Sequence, residues 1–86
     1  MEKYRISIKR SAAKEIQKIA PKDQKRIIAK IRSLASDPRP PGSKKLSGQE
    51  KYRIRQGDYR ILYQIEDSEL IVVVVRVGHR RDVYGS

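Results

Sequence analysis

The residues of this chain that could run chemistry together are Arg53, Arg55, Arg60, His79, Arg80 and Tyr84. Guanidinium forks match phosphate oxygens bidentately and keep their charge at any relevant pH, so clustered arginines suit a phosphodiester. RNA brings its own nucleophile, the 2′-hydroxyl beside the scissile phosphate. A protein that exploits it needs a proton acceptor for that hydroxyl, cations for the charge building on phosphorus, and a proton donor for the leaving 5′-oxygen. Arg53, Arg55, Arg60 and Arg80 are candidates for the cations, and His79 and Tyr84 for the proton carriers. Lys44, Lys45 and Arg81 join the arginines as phosphate-binding candidates. Blander readings stand beside these. The arginines could form a solvated face, His79 could be a surface residue, and Tyr84 could pack or stack on a base. Glu66, Asp67 and Glu69 are bunched together away from the arginines and read as turn chemistry. No metal and no cofactor are therefore expected.

A sheet must position these groups. The stretch Tyr52 to Tyr63, YRIRQGDYRILY, alternates on both sides of Gly57-Asp58. It predicts a β-hairpin with a type II′ turn. Gln56 then faces Tyr59, Arg55 faces Arg60, Ile54 faces Ile61 and Tyr52 faces Tyr63. Directly opposed residues share a face, so the tyrosines and isoleucines line one side while Arg53, Arg55 and Arg60 crowd the other. Opposed like charges destabilise a sheet, and a bound phosphodiester would relieve that repulsion.

The run Leu70 to Val77 is apolar on both faces and reads as a central strand, with Ile71, Val73, Val75 and Val77 on one side. A tight turn at Asp67-Ser68 would set Val75 opposite Arg60 and aim His79 at the arginine face. Arg80 would reach that face where the strand ends or twists near Gly78. Lys44 and Lys45 would sit at its edge, in a loop.

Upstream, Tyr4 to Lys9 alternates as a strand with Tyr4, Ile6 and Ile8 inward. Ser11 is a candidate N-cap for a helix to about Ile19. Pro21 opens a second helix whose Ile27, Ile28, Ile31, Leu34 and Ala35 keep helical spacing. Asp37 to Ser43, rich in proline, ends it in an irregular basic loop. The expected organisation is α+β: a small single domain over 1–86 in the order β-α-α-β-β-β, with a two-helix hairpin packed on one face of a mostly antiparallel sheet.

Twenty-one Lys and Arg against ten Asp and Glu give +11 over 86 residues. Such an excess is readily understood if the partner is polyanionic. The chain has no cysteine, which excludes disulfides and thiolate metal sites. Its longest apolar run is too short to span a bilayer, and its first residues lack a signal-peptide core. A soluble cytoplasmic protein with no membrane partner is expected.

Several stretches taken in order resemble a known family. They are Lys45-Leu46-Ser47-Gly48, Tyr52-Arg53-Ile54-Arg55, Gly57-Asp58-Tyr59-Arg60-Ile61-Leu62-Tyr63, the valine-rich strand, and Gly78-His79-Arg80-Arg81-Asp82-Val83-Tyr84. Together they resemble the RelE toxins of bacterial and archaeal toxin–antitoxin modules. The resemblance implies a RelE-like fold and a ribosome-dependent, metal-free mRNA endoribonuclease, an mRNA interferase, that cuts in the A site. It would leave a 2′,3′-cyclic phosphate and a 5′-hydroxyl. It implies a cognate acidic RelB-like antitoxin, the ribosome and mRNA as partners, and operator DNA met only through the antitoxin complex. By position, Arg53 and Arg55 stand where studied members have active-site lysines, Arg60 and Arg80 match phosphate-holding arginines, and Tyr84 matches the catalytic tyrosine. Arginine is a poor base, which makes His79 the preferred acid–base group. Two other readings stay open: a ParE-like inhibitor of DNA gyrase, and a non-catalytic RNA- or ribosome-binding protein.

Overall fold

The computed structural model describes residues 3–46 and 51–79. Strand β1 (Arg5–Ile8) begins one residue after Tyr4; Tyr4 and Ile6 pack against the core, and Ile8 is left exposed. Helix α1 (Arg10–Gln17) starts one residue before Ser11, with Lys9 at the N-cap and no side-chain cap bond. Ser11 therefore lies inside the helix, not at its cap. Pro21 does open α2 (Pro21–Ser33), where its missing N–H is one the first turn would leave unbonded anyway.

Four further strands follow: β2 (Lys44–Lys45), β3 (Lys51–Gln56), β4 (Tyr59–Glu66) and β5 (Ile71–His79). They form one sheet in the order β1-β5-β4-β3-β2. Only β1 and β5 run parallel; the other pairs are antiparallel. The α+β class and the helical hairpin on one face are as expected. The sheet gains a fifth strand, β2, and the valine-rich β5 is an interior strand as expected, lying between β1 and β4.

One face of the sheet meets the helices. Ile54, Ile61, Tyr63, Ile65, Val72, Val74 and Val77 from β3, β4 and β5 bury against Ala12, Ile16, Ile27, Ile31 and Leu34. The β3–β4 hairpin has the register that its two-residue turn dictates, including Arg55 opposite Arg60 and Tyr52 opposite Tyr63. Gly57, at φ +60, supplies the left-handed residue that a type II′ turn needs at its first central position.

The β4–β5 connection departs from expectation. It spans Asp67 to Leu70, with Glu66 opposite Ile71, and Leu70 takes a left-handed φ of 56. A bulge then shifts the register between Leu62 and Tyr63: Tyr63 pairs with Val74 but Leu62 with Arg76, so Val75 is the extra residue. Arg60 consequently faces Gly78, not Val75. Val72, Val74 and Val77 take the core face: Val77, expected on the arginine side with Ile71, Val73 and Val75, is moved across by the extra residue.

At the edge, β1 accompanies β5 only to Val74. Past that point Glu15 of α1 serves the strand: its Oε1 accepts the Val77 N–H at 2.9 Å and its Oε2 lies 3.5 Å from Arg76.

A leucine held left-handed is strained, whereas asparagine tolerates that region. Leu70→Asn should therefore stabilise the protein by about 0.5 kcal/mol and raise Tm by roughly 2–4 °C. Ile61 is fully buried between the helices and the sheet. Ile61→Ala should cost about 2–5 kcal/mol, a large share of a small domain's stability, read by urea denaturation.

Candidate functional site

On the side of the sheet away from the isoleucines, Lys44 of β2 stands opposite Arg53 of β3, and Arg55 opposite Arg60 of β4. Opposed residues share a face, so these four cations are neighbours. Lys44, Arg53, Arg55 and Arg60, with Gly42, line a cavity of about 330 Å3. That is at the small end of ligand sites, which run about 300–1,000 Å3, and suits a phosphate group with part of its nucleotide. Gly78, opposite Arg60 on β5, adds no side chain to this face.

The cations differ in depth. Arg55 is exposed and Arg53 half-buried, while Arg60 is 3% exposed with its Nε and Nη1 atoms out of contact with solvent. Arg60 is the one buried charged residue among the described residues. Removing a guanidinium from water is costly, so a solvated face does not account for it. The expected open plate is thus corrected into a recess with Arg60 at its floor.

Two candidates stand elsewhere. Lys45 pairs with Tyr52 and so takes the opposite face from Lys44. His79 pairs with Tyr59, which packs against the core, and the two rings meet edge-on at 5.9 Å. His79 therefore lies on the helix side, lining a separate hollow with Glu15, Lys18, Ile19 and Tyr59. The register that aimed it at the arginines assumed a tight β4–β5 turn. The longer turn shifts the pairing by two residues and keeps the face; the single extra residue Val75 is what reverses it. Arg80, Arg81 and Tyr84 lie outside the described residues.

Sequence reasoning passed over Arg39. Its Nη1 and Nη2 donate to Asp67 Oδ1 and Oδ2 at 3.2 and 2.8 Å. Its Nε donates to the Tyr52 hydroxyl at 3.0 Å, and its guanidinium carbon stands 5.2 Å from the Tyr52 ring centre. Tyr4 donates to the same Asp67 Oδ1 at 2.7 Å. The Tyr63 hydroxyl donates to the Pro38 carbonyl at 2.8 Å, and the Tyr52 and Tyr63 rings stack at 5.8 Å. A lone arginine among prolines, and one acid of the Glu66–Glu69 turn, were the signals available.

Arg39 holds the Asp67 carboxyl below its usual value, and Asp67 in turn raises Arg39. The hydrogen bond to Asp67 raises Tyr4. Burial pushes the Tyr63 phenol up to about 12. The Arg39–Asp67 pair is largely exposed. Water screens pairs of that kind, so this one fixes geometry more than it stabilises the fold.

A two-helix hairpin on a five-stranded sheet, with a cationic recess on its far side, defines a small basic α+β protein built to hold an anion. Residues 6–84 match the family of ParE toxins of type II toxin–antitoxin systems, parDE, and the chain belongs to that family, within the RelE/ParE superfamily. A RelE-like toxin protein of Escherichia coli is 33% identical, covering 95% of this chain and 90% of its own length. Toxin RelG of Mycobacterium tuberculosis is 32% identical, covering 94% and 95%. Among solved structures, the RelE of an archaeal RelE–RelB complex from Pyrococcus horikoshii superposes with a TM-score of 0.82 at 25% identity, over 91% of this chain and 96% of that one. The protein is thus a RelE-like toxin of a toxin–antitoxin module.

Two titrations should be visible. Asp67 has a lowered folded pKa, so its contribution is present above the ordinary carboxyl value of 3.8 and is lost as pH falls through the folded one. The stability gap between wild type and Asp67→Asn should close below that pH, measured by urea denaturation. Tyr63 has a raised folded pKa. Its contribution is full below the ordinary value of 10.0 and drains away as pH climbs to about 12. Tyr63→Phe should flatten stability across that alkaline window.

Proposed function

We propose that this toxin is a metal-free mRNA endoribonuclease that cuts in the ribosomal A site through attack of the RNA 2′-hydroxyl on the adjacent phosphate. The observation that carries the reading is the cavity on which Lys44, Arg53, Arg55 and Arg60 converge. Negative charge on the phosphoryl oxygens grows toward the transition state. Cations already fixed around it stabilise that state more than the ground state, which is what accelerates the step. Arg60, buried at the floor, contributes most because little water screens it. Arg53 and Arg55 grip the phosphate from β3, and Lys44 closes the recess from β2.

Arginine keeps its proton to a pH above ~12, so Arg53, Arg55 and Arg60 act as charges and not as bases. His79, across the sheet, is withdrawn from proton transfer in the recess. Tyr84 takes that role in this reading, with Arg80 and Arg81 as further phosphate contacts. Lys44 is the one lining residue, among those described, whose type can also exchange a proton. The ribosome would supply the orientation that so small a site lacks. A RelB-like antitoxin with acidic segments is the expected neutralising partner, supported by the archaeal relative solved with RelB. Operator DNA would be contacted only through that complex. The site of action would be the cytoplasm.

The match to the ParE family favours a second reading, in which the same surface holds DNA gyrase and no bond is cut. Primer extension on a reporter mRNA in a purified translation system separates the two. New 5′ ends at A-site codons, present only with ribosomes, support the nuclease. Intact mRNA with loss of supercoiling activity supports the gyrase reading. Under the nuclease reading, Arg60→Ala should lose about 3 kcal/mol of transition-state stabilisation, a cleavage rate roughly a hundredfold lower, with the fold checked by circular dichroism. Tyr84→Phe should slow cleavage, while His79→Gln should leave it near normal.

A further inference from the structure

We infer that Arg39, gripped by Asp67 from the β4–β5 turn, is a positioning residue that sets where Lys44 stands in the cationic recess. The inference rests on that recess being the phosphate site of the proposed function.

Lys44 belongs to a strand of two residues, β2, paired through Lys44–Arg53 and Lys45–Tyr52 and followed by one bond from the Leu46 N–H to the Lys51 carbonyl. So short an edge strand cannot fix its own place, and edge segments with few bonds open most readily. On its leading side it is held by the chain in front. Helix α2 delivers the segment 34–43, and this is pinned at successive points. Pro38 is buried, with its carbonyl bonded to the Tyr63 hydroxyl. Arg39 reaches two elements at once, Asp67 in the β4–β5 turn and Tyr52 in β3. Pro40 accepts both the Ser43 N–H at 3.0 Å and the Ser43 hydroxyl at 2.8 Å. Gly42 then turns with φ +95 and lines the recess beside Lys44. Tyr52, which Arg39 holds, is the residue just before Arg53 and the pairing partner of Lys45. One guanidinium therefore ties β2's approach segment to the strand that carries Arg53 and Arg55. The prolines flanking Arg39 keep the intervening backbone stiff, so a fixed Arg39 means a fixed start for β2.

Coulomb's law and the clamp predict opposite signs for one variant. Asp67→Asn removes a negative charge, which by long-range electrostatics alone tightens anion binding. If Asp67 works by holding Arg39, the same change loosens β2 and weakens it. The experiment titrates inorganic phosphate into the 15N-labelled full chain and follows the backbone amides of Gly42, Lys44, Arg53, Arg55 and Arg60. Wild type, Asp67→Asn, Lys44→Ala and the double variant are compared, with Arg39→Lys as the conservative replacement. The expected result is an apparent Kd about threefold or more weaker for Asp67→Asn. In the Lys44→Ala background Asp67→Asn should have no further effect. Arg39→Lys should behave like Asp67→Asn, because an ammonium cannot make the forked contact while also reaching Tyr52. Unchanged or tighter binding by Asp67→Asn, or equal weakening in both backgrounds, would overturn the positioning role while leaving the phosphate site intact. If wild type shows no saturable shift at the recess, the phosphate-site reading fails and the inference falls with it.

Discussion

Everything on this sheet depends on one steric rule: in an antiparallel pair, directly opposed side chains point the same way. The two-residue turn at Gly57-Asp58 leaves β3 and β4 a single register. Fixing Ile54 and Ile61 in the core therefore forces Arg55 and Arg60 together on the other side. The apolar core and the cationic recess are two consequences of the same pairing. A slip of one residue would bury the arginines against the helices and lift the isoleucines into water. The hydrophobic effect of the core thus holds like charges together against their repulsion, and a phosphate group is the natural counter-charge for what results.

That rule also decides how much could be read in advance. Where the chain announces its own turn, reading succeeds: Gly57-Asp58 fixes four opposed pairs, and Pro21 marks the start of α2. It fails where register depends on backbone geometry that residue types do not spell out. The Asp67–Leu70 connection uses a left-handed leucine, which a propensity argument disfavours. The extra residue Val75 lies within an unbroken run of valines, so the alternation that normally exposes a bulge is invisible there. His79 changed sides because of that one extra residue, since the longer connection shifts the register by two and leaves the face unchanged. Lys44 and Lys45 escaped notice as a strand because two residues carry no period at all. Arg39 was hidden differently, since its partners Asp67 and Tyr52 are remote in sequence and meet only in the fold.

The charge of the chain separates into distinct uses. In the recess, cations are concentrated and partly desolvated, so each counts for more than in water. Arg39 is spent on structure, satisfied by a carboxylate and a phenol. Much of the remaining basic charge lies on the outer sides of α1 and α2, where Lys14, Lys18, Lys22, Lys25 and Arg26 are exposed. A positive field over such a surface draws a polyanion in before any contact forms and weakens with added salt. Family membership fixes the protein as a toxin. Which macromolecule it disables is not decided by the fold, which alone does not select a target.

The carboxylate of Glu15 has a meaning beyond its own hydrogen bond. Past Val74 the outer rim of β5 has no strand beside it among the described residues, and an unaccompanied rim with free amides invites another chain to add itself as the next strand. By taking the Val77 N–H from the side, Glu15 makes that rim a poor template. A chain that carries exposed Ile8 and Ile28 on a thin core has reason to discourage self-association. One acidic residue in a strongly basic chain guards the place where β-stacking between copies would otherwise begin.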